Sequence, residues 1–347
     1  MDILHVSFSS SSADGGISTA VSQLVDYQRR SAPFDKISWL RLDELCKSFL
    51  LFHYIYILLI SRPDIIHIHG LWRLPSRLIL LYNLFSITTI VSPHGMLHPM
   101  ALQFSGLKKK FSFLLFEKHL LTYAKAIHAL NEYEAHCVNC NSTNSKISII
   151  PNGVCCRQRS RIDCREILSL PADSKILLYF GRYHSGKNID LLARSWEEIH
   201  TLIDPSWWLV FVGHGDGLLL DSHRNSCSSR IKVFGPFYDE DKHTILSSVS
   251  AFILPSAFEA LPMAALEAMS YSLPCLLTDQ CNLTSAFDAG AAYRISLSSL
   301  SKDLLGFFSK SFQEFTDIGV RAHALVSTEY SWERISELFL DLYRSHD

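Results

Sequence analysis

A chain of 347 residues exceeds what one hydrophobic core ordinarily fills, so two domains are expected. Hydrophobic residues make up 48% of it and aromatics 12%, enough for two cores and incompatible with a disordered chain. A net charge of −2 offers no basic field to nucleic acid, so any bound anion must be met by a local cluster of donors.

The chain opens on MDILHVSFSS, which reads directly as a strand over 3–8 and carries no basic region ahead of a long apolar core, so no secretory signal is read. Nine scattered cysteines, an odd number without an export signal, fit reduced thiols in a cytoplasm. A helix follows over 19–30, where Ala20, Leu24 and Tyr27 recur at helical spacing beside Val21, Val25 and Gln28. Short β-branched or apolar runs at 37–42, 65–68, 88–92, 126–130 and 147–150 continue the strands. The longest apolar run, 49–60, is too short to span a bilayer and is expected as a buried helix. Cys137-x2-Cys140 followed by Cys155-Cys156 has zinc-ligand spacing only once, in a helical stretch with no second CxxC, and reads as incidental.

Pro151-Asn152-Gly153 breaks the pattern, and the arginine-rich, aperiodic stretch after it reads as a connection. A second alternating set begins at Lys175, with strands over 176–180, 208–212, 231–234, 252–254 and 275–277 and helices over 189–200, 240–248 and 262–271. Ser331 caps a last helix reaching 344, with Glu333 in its first turn. The fold class is α/β, as two Rossmann-like doubly wound domains built from βαβ units. Their expected bounds are 1–155 and 171–330, with a linker over 156–170 and a C-terminal helix, 331–347, that can return to the N-terminal domain.

Ligands of open parallel sheets gather beyond the carboxyl ends of the strands, and the unusual residues collect there in both halves. The first strand runs into SSSSADGGIS, the third into His69-Gly70 and the fourth into Pro93-His94-Gly95. In the second half the strands run into Gly181-Arg182, Gly213-His214-Gly215, Gly235-Pro236 and Pro255-Ser256, with Phe258-Glu259 behind. A cleft between the halves would be lined by all of these.

Gly15-Gly16 precedes a helix whose free N–H groups can receive a phosphate, although any tight strand-to-helix turn favours glycine. Arg182 and Lys187 flank a loop containing Gly186, and a fork plus a point charge suit a diphosphate. The alternative is a solvated loop. Pro262 is expected as the first residue of a helix, which places Glu267 one to two turns inside it among mostly apolar neighbours. A carboxylate so enclosed needs donors; ligand diols would serve, whereas an ion pair would explain Glu267 but not Glu259. His94 stands at a strand end where a ring nitrogen can donate to a ligand oxygen or carry a proton, and His69 competes for that role. The acidic run Asp239-Glu240-Asp241 is explained by the first turn of a helix rather than by a metal.

Together these residues resemble the retaining glycosyltransferases of family 4, which have the GT-B fold. The most specific segment is PSAFEALPMAALEAMSYSLP, similar to that family's E-x7-E signature with Glu259 and Glu267 in the acidic places. The glycine pair, SPHGML, IPNGV, FGRYHSGKNIDLL, FVGHGDG, FGPFYDEDK and CNL also match, so the resemblance covers nearly the whole chain. It implies a hexosyltransferase that takes a nucleotide-sugar donor, needs no metal or other cofactor, and acts on a glycan or lipid-linked acceptor in surface polysaccharide or lipopolysaccharide assembly. Arg182 and Lys187 would hold the diphosphate, Glu267 the ribose and Glu259 the donor sugar. Leu261, Pro262 and Met263 would contact sugar or phosphate through their backbone, the turn at Gly235 the base, His94 the sugar, and Gly16 the phosphate. Ala260 and Ser285 depart from the common pattern, which leaves the donor sugar open.

Lys108-Lys109-Lys110 precedes FSFLLF, a basic cluster beside an apolar helix that suits either weak contact with an anionic membrane face or an ordinary solvated helix start. A nucleotide-dependent dehydrogenase is disfavoured because the first loop lacks G-x-G-x-x-G. A nucleotide-sugar epimerase of the same architecture and a silent donor-binding partner are the remaining rivals.

Overall fold

A computed structural model describes residues 1–8, 16–44, 49–103, 111–157, 162–215 and 229–346. Gly15 and the cluster Lys108-Lys109-Lys110 lie outside them. The chain forms two compact units, one combining Met1–Gly153 with Trp332–Asp347 and the other spanning Val154–Ser331. Where it is described, the stretch expected as a linker belongs to the second unit: Asp163 caps the short helix Cys164–Ile167, and Cys164 is buried.

Each unit holds a six-stranded sheet whose pairs are all parallel. In the first, β1 (Asp2–Ser7), β2 (Lys36–Arg41), β3 (Ile65–His69), β4 (Thr88–Ser92), β5 (Ala126–Ala129) and β6 (Ile147–Ile149) run in the order β2-β1-β3-β4-β5-β6. The second contains β7 (Lys175–Phe180), β8 (Trp207–Val212), β9 (Ile231–Phe234), β10 (Ala251–Leu254), β11 (Cys275–Leu277) and β12 (Ala292–Arg294), in the order β12-β11-β10-β7-β8-β9. Strand order reverses between β1 and β3 and between β7 and β10, and those points open the crevices where such sheets bind ligands.

The pleat of the first sheet sorts its residues onto two faces. Leu4, Val6, Ile66, Ile68 and Val91 join Tyr54, Leu58 and Tyr82 in an apolar core. The other face carries His5, His67, His69 and Ser92, all buried, and meets Gln28 and Tyr343 from the helices Gly16–Ser31 and Trp332–Arg344. These two helices pack on each other; Trp332 stacks on Tyr27 with centroids 6.3 Å apart and donates from Nε1 to Gln23 Oε1 at 2.8 Å. Gly153 is required beneath that indole, since a Cβ there would lie 2.4 Å from the ring.

The apolar run near 49–60 departs from expectation. The helix Leu50–Ser61 buries Tyr54 and Leu58 but leaves Phe52, Tyr56, Leu59 and Ile60 exposed. A helix on the outer layer of a sheet can turn only one stripe inward, whatever its composition. Among the described residues no helix is long and apolar enough to cross a membrane.

One buried carboxylate braces the loop after β3. Glu117 Oε1 accepts from the Trp72 amide at 3.0 Å and lies 2.9 Å from Ser76 Oγ, while Oε2 is buried without a hydrogen-bond partner. Burial pushes this carboxyl up to about 7, against the pull of those donors and of Arg77. The folded protein therefore keeps a proton that the unfolded chain releases near its ordinary value, so this contribution to stability declines from pH 4.5 to 7 and stays low above. Glu117→Gln preserves the acceptor and does not titrate. The variant should gain on the wild type by about 2–3 kcal/mol between pH 5 and pH 8, read from paired denaturation curves. A gap independent of pH would refute the assignment.

Candidate functional site

The richest grouping in the second unit lies where β7 and β10 part. Beyond β7 the chain makes the turn Ser185–Lys187 and enters the helix Ile189–Ile199 through Asn188, which adopts a left-handed φ of 51°. Asn188 Nδ2 donates to the Pro255 carbonyl at 2.9 Å, and the Ala257 amide donates to the Gly186 carbonyl at 2.8 Å. This lacing brings Lys187 Nζ into an ion pair with Glu259 Oε1, which also accepts from Ser256 Oγ at 2.6 Å. The backbone of Glu259 is tied from β11's far side: its amide donates to the Gln280 carbonyl at 3.0 Å, and its carbonyl accepts from Asn282 Nδ2 at 2.6 Å. Glu259 is thus fixed at main chain and side chain alike. Its carboxylate retains lone pairs for a ligand.

Glu267 forms the second pair. It sits in the helix Met263–Ser270, and Lys242 Nζ approaches Oε1 at 2.7 Å and Oε2 at 2.6 Å. Lys242 also lies 5.6 Å from the ring centroid of Phe180, the last residue of β7, and Lys187 belongs to the turn Ser185–Lys187 that follows the same strand. Pro262 is the cap of this helix rather than its first residue, with φ −81°, ψ 91° and a carbonyl that accepts from the amides of Ala265 and Leu266. Leu261 and Pro262 are buried and Met263 is half-buried. Arg182 is exposed, and its carbonyl accepts from the Tyr179 hydroxyl at 2.9 Å. Asp239, Glu240 and Asp241 occupy the first turn of the helix Asp239–Ser248.

In the first unit, Gly16 is the exposed first residue of its helix. His94 follows β4 in a left-handed conformation, φ 52°. The next peptide is clamped by Glu134, which accepts from the Gly95 amide at 2.5 Å and the Leu130 amide at 2.8 Å. Burial raises the Glu134 carboxyl, and the two amide donors oppose that rise. His94 Nε2 lies 3.0 Å from His69 Nδ1, and His94 Nδ1 is buried with no hydrogen-bond partner. Burial, with His128 adding to it, pushes the His94 imidazole down to about 3, so it is neutral at physiological pH.

His5, His67 and His69 each bring a ring nitrogen within 4.8 Å of the others, a spacing that could hold a metal ion. Every nitrogen of the three already has a partner: Gln28 and His69 for His5, Tyr343 and Ser92 for His67, His5 and His94 for His69. A metal would have to break those bonds, so hydrogen bonding accounts for the cluster. Cys137 is buried and Cys140 exposed on the helix Glu132–Asn141, and no cysteine joins a potential metal cluster among the described residues.

Lys242, Asn188 and Asn282 are not singled out by sequence reasoning, and Ser256 is, at the end of its strand. For Lys242 a signal existed: a cation in the fourth position of a helix opposes the dipole there and calls for an anionic partner.

Two family models match consecutive parts of the chain: Glycosyltransferase Family 4 over residues 10–158, and Glycosyl transferases group 1 over residues 160–295. The lipopolysaccharide 1,2-N-acetylglucosaminetransferase of Salmonella typhimurium is 26% identical over 56% of this chain and 55% of its own. The UDP-Gal:alpha-D-GlcNAc-diphosphoundecaprenol alpha-1,3-galactosyltransferase of Escherichia coli is 32% identical over 41% of this chain and 40% of its own. The chain thus spans about half the length of these curated relatives. Among solved structures, Anabaena HepE in complex with UDP-glucose superposes with a TM-score of 0.78 at 14% identity, covering 99% of this chain and 100% of that one. Sucrose-phosphate synthase from Thermosynechococcus elongatus gives 0.77 at 18% identity, covering 99% and 98%. At such identities these likenesses speak for the fold, which is GT-B.

The strand-end glycines differ in the space around them. A Cβ on Gly213 would lie 1.8 Å from the Gly181 carbonyl oxygen, whereas one on Gly235 would meet nothing within 4 Å. Gly213→Ala should cost at least about 2 kcal/mol in chemical denaturation, and Gly235→Ala should stay within about 0.5 kcal/mol. Equal costs would show that the space beyond β9 is filled by packing.

Proposed function

This chain belongs to the glycosyltransferases of family 4, and we propose that it transfers a sugar from a nucleotide-sugar donor to a glycan or lipid-linked acceptor, with retention of anomeric configuration. The observation carrying this reading is the pair of lysine–glutamate contacts beside the end of β7, where strand order reverses. Folding alone does not call for two partly buried lysine–glutamate pairs at one strand end, since desolvation offsets much of what each pair returns. A ligand carrying both anionic oxygens and hydroxyls does explain them. The named curated relatives are transferases, which favours transfer over epimerisation or silent donor binding. Their names also point to lipopolysaccharide and polyprenol-linked glycans as the acceptor setting.

In this mechanism the diphosphate lies against Lys187 and Arg182, which neutralise the charge growing on the leaving nucleotide as the glycosidic bond breaks. Lysine has three donors, so Lys187 can reach a phosphate oxygen without releasing Glu259. Glu259 takes sugar hydroxyls, Glu267 takes ribose hydroxyls, and the backbone of Leu261–Met263 meets sugar or phosphate. The open space at Gly235 admits the base, and the N–H groups at Gly15 and Gly16 serve a phosphate. The departing phosphate accepts the acceptor's proton on the face where the new bond forms, so the protein supplies positioning and charge. No step calls for a divalent metal.

Three measurements test this. A thermal-shift panel should identify a nucleotide sugar that stabilises the fold, by about 2.7 kcal/mol at one hundred times its dissociation constant. With that donor, Glu267→Gln should weaken free nucleoside diphosphate and intact donor alike, by about ten- to a hundredfold in calorimetry. Glu259→Gln should lower kcat/KM while leaving the free diphosphate unchanged or tighter, because Lys187 loses its competing carboxylate. If Glu259→Gln weakens the free diphosphate as much as Glu267→Gln does, the assignment of the two carboxylates is wrong. Turnover should also persist in excess chelator, and its recovery only on adding magnesium or manganese would refute the metal-free route.

A further inference from the structure

A single file of hydrogen bonds runs beneath the first unit's helices and ends at His94. It starts at the Ile150 carbonyl, 2.6 Å from His128 Nε2. His128 Nδ1 lies 2.6 Å from Ser92 Oγ, which lies 2.6 Å from His67 Nε2. His67 Nδ1 lies 2.6 Å from the Tyr343 hydroxyl, and Gln28 Nε2 reaches that hydroxyl at 3.4 Å. Gln28 Oε1 lies 2.8 Å from His5 Nε2, His5 Nδ1 lies 3.0 Å from His69 Nε2, and His69 Nδ1 lies 3.0 Å from His94 Nε2.

The direction of every bond follows from the first. A carbonyl only accepts, so His128 Nε2 carries a proton, and a neutral ring then leaves Nδ1 bare. Ser92 must donate its one hydrogen to that nitrogen and accept from His67 Nε2. His67 Nδ1 is then an acceptor, taking the Tyr343 hydrogen, and the Tyr343 oxygen accepts from the Gln28 amide nitrogen. That turns the Gln28 oxygen to His5, which donates from Nε2 and accepts on Nδ1 from His69. His69 in turn accepts from His94 Nε2. The neutrality this requires is supplied by burial, which pushes His5 and His128 down to about 4 and lowers His67 and His69 as well.

We propose that this relay locks His94 in the Nε2–H form, so that its buried, unpartnered Nδ1 serves as a hydrogen-bond acceptor for a ligand hydroxyl and turns away phosphate or carbonyl oxygens. The lock reverses the sense of donation expected from the sequence and decides between the two candidate histidines. Both nitrogens of His69 are spent, and one of His94 is left over. His5, His67, His69, His128 and Gln28 are positioning residues. That the hydroxyl belongs to a sugar rests on the transferase reading; the protonation pattern does not.

Long-range proton–nitrogen correlation spectra of the full chain, with histidine rings labelled in nitrogen-15, report which ring nitrogen carries the proton. At pH 7.5 the relay requires Nε2–H for His5, His67, His69, His94 and His128 alike, without added ligand. A proton on His94 Nδ1, or a charged ring at any of the five, overturns the proposal. Gln28→Leu removes the middle of the file. His5, His69 and His94 should then lose their single form, while His67 and His128, still governed by Ile150, keep theirs. Should Gln28→Leu not fold, the wild-type spectrum decides. UDP-glucose, UDP-galactose and GDP-mannose then probe the bare nitrogen. A sugar nucleotide that stabilises the fold should move the His94 Nδ1 signal, with UDP or GDP alone leaving it in place. Stabilisation without that movement refutes the hydroxyl assignment. If no nucleotide sugar of the thermal-shift panel stabilises the fold, the donor reading fails and the protonation result stands.

Discussion

A parallel sheet covered on both faces excludes water from its strands, so each polar group placed there must find its partner inside the protein. An unmet buried donor or acceptor costs about 1–3 kcal/mol, more than a satisfied one returns. The first sheet puts His5, His67, His69 and Ser92 under this constraint, and they can meet it only if bonds run head to tail. Gln28 and Tyr343, contributed by the covering helices, close the gaps between rings that the strands alone leave apart. The arrangement also explains why burial keeps these imidazoles neutral, since a second proton on any ring would face a donor with a donor.

The second unit applies the same sheet to different chemistry. Its strands are almost purely apolar, and polar function is pushed to the carboxyl ends, where Asn188, Ser256 and Asn282 spend their hydrogen bonds on backbone carbonyls or on Glu259 itself. The two glutamates therefore have fixed frames and lysine partners from neighbouring elements. Chain elements remote in sequence supply each half of each pair. The resulting sites are half-open to solvent and electrostatically balanced, a state from which a ligand of mixed charge can exchange one partner for another.

How much of this was legible beforehand follows from what each element depends on. Runs such as LVFV and ILPS announce strands through β-branching and flanking glycine or proline, and the observed strands lie within a residue or two of their expected bounds. β12, Ala292–Arg294, holds no β-branched residue and ends on a charged one, so it does not register as a strand. The helix Leu50–Ser61 was misread because uniform apolarity does not say which stripe turns inward. Glu259 and Glu267 could be singled out from a local pattern, yet Lys242 could not be joined to Glu267 without tertiary contact. The alternation IIHIH in β3 signals a polar stripe, but the partners of His67 and His69 come from residues 5, 92, 94 and 343, and no local rule reaches that far.

Gly153 sits under the Trp332 indole, so the first unit is assembled from two stretches of chain with the whole second unit between them. A ribosome delivers these stretches in that order. The sheet β1–β6 emerges with its histidine face covered only by the helix Gly16–Ser31, and His67 lacks its Tyr343 partner until the helix Trp332–Arg344 arrives. The second unit, continuous from Val154 to Ser331, has all its residues before then and can fold first. A His67 charged during that interval would hinder docking of the late helix, because its Nδ1 must be bare to accept from the Tyr343 hydroxyl.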